Sequence, residues 1–261
     1  MRMGGRWRFI DTGSSDGFFN MALDETLLAG YESGLMPPVF RLYGWNPPAI
    51  SLGKFQPAAG VVNLADCRAD GIPVVKRITG GGAIFHDEEI TYSFVCSDRL
   101  AGAVSVKESY KKIGAFLIAA YGEMGIDVSF AGETNDVVKS DFCFGGREFY
   151  DILTDRRKIG GNAQKRKRGV IFQHGSIPLR LNMGRIKKYF KNDITAGYPA
   201  VSLGELQPRL SAGKIKKILK ESFLKSQGVE FTESRVSDSE METAKKNARI
   251  KKKCFYTGEA S

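Results

Sequence analysis

Short strand-like runs outnumber amphipathic helices along this chain, and that imbalance limits the folds open to it more than any other feature. Residues suited to strands recur at Val39–Tyr43, Ala49–Leu52, Pro73–Ile78, Ala83–Phe85, Ile90–Cys96, Ile126–Phe130, Arg157–Ile159 and Gly169–Leu179, separated by turns rich in Gly, Pro and Asn. Three segments carry helical periodicity instead: Asn20–Tyr31, Val106–Met124 and Ser211–Gln227. Gly125 and Gly228 stand where the last two of these should end. Strands and helices do not alternate one for one, so the expectation is an α+β fold with a mixed or mostly antiparallel central sheet flanked by helices.

A length of 261 residues with 42% apolar content supports a large core. The main domain is expected over residues 1–228. Residues 229–261 are polar, charged and poor in aromatics, which suggests a small basic C-terminal appendage or tail. No run is long and apolar enough for a membrane span, and the first residues are basic without the apolar stretch of a signal peptide, so the cytoplasm is the expected location and no membrane partner is expected.

Cys67, Cys96, Cys143 and Cys254 are widely separated, and the histidines are two, His86 and His174. Neither a disulfide scaffold nor a His-rich metal site fits that inventory, and no metal is expected. The net charge is +10 and the pI about 9.4, with lysines clustered at Lys214–Lys220 and Lys245–Lys253. Such a balance favours acidic partners, either nucleic acid or an acidic carrier protein, although each cluster also suits a solvated helix face.

The segment from Lys76 to Asp87 places Gly80, Gly81 and Gly82 between two strand-like runs. Successive glycines let backbone approach a ligand closely and adopt positive φ, though a plain hairpin turn also tolerates them. Neither G-x-G-x-x-G nor G-x-x-x-x-G-K-[ST] spacing is present, so a Rossmann or P-loop reading fails. A second small-residue segment, Lys158-Ile159-Gly160-Gly161-Asn162-Ala163-Gln164, puts an ammonium beside a close backbone, suited to a carboxylate, phosphate or carbonyl oxygen. A basic hairpin turn is the plainer alternative.

Cys143 lies in the polar, glycine-bearing stretch Ser140–Gly146, with Arg147 near enough to favour a thiolate. Cys96 ends an apolar run and is expected to be a core thiol. His86 and His174 are each either a general base or a structural ring that hydrogen-bonds its neighbours.

Seven segments in order resemble the lipoate-protein ligase and octanoyltransferase family, which shares a fold with biotin-protein ligases. They are Asn20–Asp24, Phe40–Trp45, Ser51–Gln56, the glycine run through His86-Asp87, Asn135-Asp136, Lys158–Gln164 and His174–Ser176, spread over roughly residues 15 to 180. The resemblance implies a catalytic domain in which the glycine run and the lysine line a tunnel for a medium-length acyl chain. It assigns Arg77, Gly80, Gly81, Gly82, His86, Asn135, Asp136, Gly160, Gly161, Ala163 and His174 to substrate binding.

Within the family, Leu42–Pro47 and His86–Ser93 look like the cysteine-dependent octanoyltransferase branch, whose nucleophile lies in a Cys-Phe pair upstream of the lysine. Cys143-Phe144 stands at that place. The resemblance then implies an acyltransferase that moves octanoyl from octanoyl-acyl carrier protein to a lysine of a lipoyl domain, in the glycine cleavage H protein or an E2 subunit. Cys143 would carry the acyl thioester and Lys158 would bind its carbonyl oxygen. No cofactor is implied. The third glycine, Gly82, and Lys76-Arg77 in place of Arg-Arg depart from that pattern. Gly82 keeps open an ATP-dependent lipoate ligase, which would use ATP and magnesium. A non-catalytic nucleic-acid-binding or regulatory relative is the remaining reading, and no helix-turn-helix pattern supports it.

Overall fold

The computed structural model describes residues 5–101, 105–133, 150–191 and 200–257. In chain order the strands are β1 (Arg6–Ser15), β2 (Val39–Trp45), β3 (Ala49–Leu52), β4 (Val74–Lys76), β5 (Ile84–His86), β6 (Glu89–Ser97), β7 (Ser129–Phe130), β8 (Ile152–Thr154), β9 (Arg157–Lys167), β10 (Val170–Pro178) and β11 (Glu230–Glu233). The helices are α1 (Gly17–Glu32), α2 (Ala58–Val61), α3 (Leu64–Ala69), α4 (Asp98–Ala101), α5 (Val106–Glu123), α6 (Met183–Tyr189), α7 (Leu203–Leu206), α8 (Ala212–Gln227) and α9 (Asp238–Thr257). Among the described residues, one sheet runs in the order β11-β1-β2-β6-β10-β9-β8-β7 and a smaller one in the order β4-β3-β5. Strands β11, β1 and β2 are parallel and the rest of the large sheet is antiparallel. The mixed α+β expectation holds.

Alternation along the strands splits the core between the two faces of the large sheet. On one face Trp7, Phe9, Phe40, Leu42, Tyr92 and Phe94 meet Phe116 of α5 and Phe223 of α8. Phe40 and Phe223 stack at 4.3 Å, and burying each such ring contributes about 1.5–3 kcal/mol. On the other face Ile10, Val39, Val95 and Phe172 receive Leu23, Leu27 and Leu28 of α1. Asp16 caps that helix, accepting from the amides of Phe18 and Phe19. Gly228, at φ 63°, ends α8 as its position suggests, and Gly125, at φ 77°, follows α5.

Polar residues of α1 are buried against that second face. Asn20 and Asp24, one turn apart, both reach Arg41 of β2: Nη2 donates to Asn20 Oδ1 and Nη1 to Asp24 Oδ1, each at 2.8 Å. Two of the segments that carry the family resemblance thus complete each other. The appendage expected after residue 228 supplies β11, which lies beside β1, and α9, which packs along α1 with Ala244 fully buried. No described helix is long and apolar enough to cross a membrane.

Candidate active site

Strand β4 ends at Lys76 and β5 begins at Ile84, so the glycine run bridges two strands of the small sheet. Arg77, buried just upstream, braces it from within. Its Nη2 donates to the carbonyl oxygens of Gly80 and Gly82, both at 2.7 Å, and Nη1 donates to the Ser51 carbonyl at 3.1 Å and Ser51 Oγ at 3.2 Å. A guanidinium fork can hold four such acceptors at fixed angles, which a lysine cannot. The Lys54 amide donates to the Thr79 carbonyl at 2.8 Å, pinning the run against the segment that follows β3. There Gly81 adopts φ 87°, and its carbonyl oxygen would lie 2.1 Å from any Cβ at Gly53. That approach requires glycine at position 53. A Cβ on Gly80 would meet nothing within 4 Å, so this part of the run borders open space.

Each histidine sits in a buried relay that ends on this loop. His86 Nδ1 is 2.9 Å from Glu89 Oε1, His86 Nε2 is 2.7 Å from Ser51 Oγ, and Trp45 stacks on the ring at 3.8 Å. Burial alone would push the Glu89 carboxyl up, but His86 and the hydroxyls of Thr91 and Ser176 outweigh it and hold the group below its ordinary range. His174 Nε2 lies 2.7 Å from Thr79 Oγ1, and Nδ1 faces Asp24 Oδ2 at 3.8 Å. Burial lowers the proton affinity of His174, against the pull of Asp24. Asp24 itself is held below its ordinary value: burial works against ionisation, and Arg41, His174 and Ser93 overcome it. Both rings are thus tied by hydrogen bonds to the residues that hold the glycine run.

Lys158 lies near the start of β9. Its Nζ donates to Asp151 Oδ2 at 2.6 Å, with the lysine side chain 0% and the aspartate 2% exposed. Gly160, Gly161 and Ala163 follow on the same strand, which runs unbroken to Lys167, so this segment is no hairpin turn. Gly161 is opposite Ser176 and Ala163 opposite His174 on β10. Ser176 Oγ donates to Glu89 Oε2 at 2.7 Å. A continuous polar path therefore leads from the β9 glycines through Ser176, Glu89, His86, Ser51 and Arg77 to Gly80 and Gly82.

Cys143, Asn135 and Asp136 lie outside the described residues. Of the other thiols, Cys67 and Cys96 are buried, and burial pushes Cys67 up to about 11 and Cys96 higher still, so neither is primed as a thiolate. Cys254 is half-buried in α9. Among the described residues no cluster of His, Cys, Asp and Glu could hold a metal ion. The structure thus joins Arg77, Gly80, Gly81, Gly82, His86 and His174 in one brace, and sets Lys158 with Gly160, Gly161 and Ala163 on the neighbouring strand. Sequence reasoning gave no individual role to Ser51, Thr79, Glu89, Asp24 and Asp151, which hold these residues in place.

The profile of the lipoyl protein ligase A/B catalytic domain matches residues 16–232. Over 267 aligned positions the chain is 34% identical to an octanoyltransferase LipM of Halalkalibacterium halodurans, covering 93% of this chain and 95% of that one. It is 33% identical to the LipM of Bacillus subtilis, covering 90% and 91%. In structure it is similar to a lipoate-protein ligase A bound with ATP, at a TM-score of 0.80 and 20% identity over 98% of this chain and all of the other. A bipartite lipoate protein ligase of Thermoplasma acidophilum, described with its E2 lipoyl domain, also gives 0.80, at 17% identity over 98% of both chains.

Proposed function

The chain belongs to the lipoyl protein ligase A/B catalytic domain family, and from that premise we propose that it is an octanoyltransferase of lipoate biosynthesis. The observation that carries this reading is resemblance along almost the whole length to proteins named octanoyltransferase, at 33–34% identity. The raised proton affinities of Cys67 and Cys96 leave Cys143 and Cys254 as the thiols open to a nucleophilic role, and the family resemblance points to Cys143.

The Cys143 thiolate attacks the thioester carbonyl of octanoyl-acyl carrier protein, and the carrier's own thiolate leaves. A lysine amine of a lipoyl domain then attacks the new thioester, loses a proton, and forms an amide as Cys143 departs. Exchange between thioesters is close to neutral and aminolysis runs downhill, so no ATP is consumed. The covalent intermediate lets two carrier proteins use one site in turn. Lys158 donates to the carbonyl oxygen as negative charge develops on it, a contribution of about 3–4 kcal/mol for a well-placed donor. The open side of Gly80 admits the acyl chain close to the backbone, and Arg77 keeps that backbone in register.

The basic surface suits acidic carrier domains. Lys167 and Arg168 are exposed at the far end of β9, roughly 30 Å from Lys158 at the rise of an extended strand, so they serve as a rim contact. The Lys214–Lys220 cluster is partly engaged within the chain: Lys216 pairs with Asp11 at 2.8 Å and Lys220 with Glu233.

Incubation with octanoyl-acyl carrier protein in the absence of ATP, followed by intact-mass measurement, tests the reading. The expected product is an octanoyl adduct that Cys143→Ser cannot form. Gly82 favours a second reading, an ATP-dependent ligase. Lipoylation from free lipoate only with ATP, and no adduct from the carrier, would replace the first reading with that one.

A further inference from the structure

We propose that Asp151 is the positioning residue of the reaction, fixing the place and the charge of the Lys158 ammonium. The inference rests on the reading that Lys158 meets the acyl carbonyl. An ammonium removed from water needs a counter-charge to stay protonated, and Asp151 Oδ2, at 2.6 Å and itself buried, supplies one.

The main chain around Asp151 is held by contacts other than the ion pair. The Asp151 carbonyl accepts from the Ala131 amide at 2.9 Å, and the next residues pair with β7 through Phe130 opposite Ile152 and Ser129 opposite Leu153. On its other side, Asn162 Nδ2 donates to the carbonyl of Tyr150 at 3.2 Å, while Asn162 Oδ1 accepts from Tyr92 at 2.6 Å.

A register shift between Ile152 and Leu153 separates Asp151 from regular pairing with β9. Such irregularities re-aim a side chain. The Val201 amide donates to the Lys158 carbonyl at 2.9 Å, anchoring the lysine backbone from the opposite side. Both partners are thus held by their main chains, and the ion pair sets where Nζ lies.

The test compares Asp151→Asn, Asp151→Glu, Lys158→Ala and the Asn/Ala double variant in single-turnover acylation by octanoyl-acyl carrier protein across pH, with thermal melts as the check on folding. D151N is expected to slow acylation by on the order of 100-fold at saturating carrier, the scale of losing one oxyanion donor, with KM little changed. Its alkaline limb should move to lower pH, because a buried lysine that loses a carboxylate partner gives up its proton more readily. D151E should restore the wild-type limb and leave a loss of about threefold or more, and the double variant should be no slower than K158A alone.

A wild-type rate and pH profile in D151N, with K158A still slow, would overturn the role of Asp151 while leaving that of Lys158 intact. Normal acylation in K158A would overturn the reading of Lys158 and this inference with it. If D151N does not fold, D151E decides: a fully wild-type rate there would remove the positioning role.

Discussion

Thr79 and His174 stand ninety-five positions apart and share a hydrogen bond of 2.7 Å that joins the glycine run of the small sheet to the centre of the large one. Nε2 of the ring meets the Thr79 hydroxyl while Nδ1 faces the Asp24 carboxylate. This contact couples the loop to a buried titratable ring.

A pH dependence of stability follows. Burial holds the affinity of His174 below its ordinary 6.5. As pH falls through 6.5 the unfolded chain takes up a proton that the folded chain refuses, so stability drops on the acid side. Asp24, held below its ordinary 3.8, adds a second loss only at much lower pH. Melting temperatures should decline between pH 7 and 5.5 in the wild type, and that part of the decline should disappear in His174→Gln. An identical slope in both proteins would refute the assignment.

The two faces of the glycine run give opposite outcomes for the same substitution. Gly53→Ala forces a Cβ against the Gly81 carbonyl and should cost about 1–3 kcal/mol of stability, the usual scale of overpacking. Gly80→Ala meets open space and should melt within about 0.5 kcal/mol of the wild type. If the acyl chain lies against Gly80, the same methyl raises KM for the octanoyl donor several-fold. Unchanged kinetics in a normally folded Gly80→Ala would remove the acyl chain from that position.

The turn that brings Asp151 back to Lys158 is strained. Asp155 and Arg156 adopt φ 45° and 61°, a pair of left-handed residues for which Asn-Gly is the favoured two-residue connection. Replacing them with Asn-Gly should add roughly 0.5–1 kcal/mol and raise the melting temperature by about 1–4 °C, with acylation unchanged. A lower melting temperature would mean that one of these side chains contributes more than its backbone conformation costs.

Periodicity made α1, α5 and α8 legible because each buries a broad apolar stripe, and most of the central strands were legible through their β-branched and aromatic runs. Strand β1 was not, since Arg6 and Arg8 obscure the alternation of Trp7 and Phe9; Arg8 in fact pairs with Glu240 at 2.6 Å. Helix α9 escaped for a related reason: its inward face is thin, built on Ala244, Ala248 and Phe255, and the rest is polar. The resemblance pointed to Lys158, but Asp151 became visible only once the short strand β8 was known, because the pair forms through a hairpin and not through spacing on one element. Gly80 to Gly82 were plain in the sequence, whereas Arg77 as their brace emerged from four contacts, two to Ser51 of β3 and two to the loop itself.

Strand β11 lies against β1, and α9 covers the helix that carries Asn20 and Asp24, with Lys251 reaching Glu25 at 2.7 Å. During synthesis, therefore, the first strand and helix remain without their covering partners until residues 230–257 have left the ribosome. A chain that stalls or is clipped before residue 230 would leave the outer edge of β1 unpaired and the outer face of α1 uncovered, which exposes it to misassociation before the helix behind Asn20 and Asp24 is shielded.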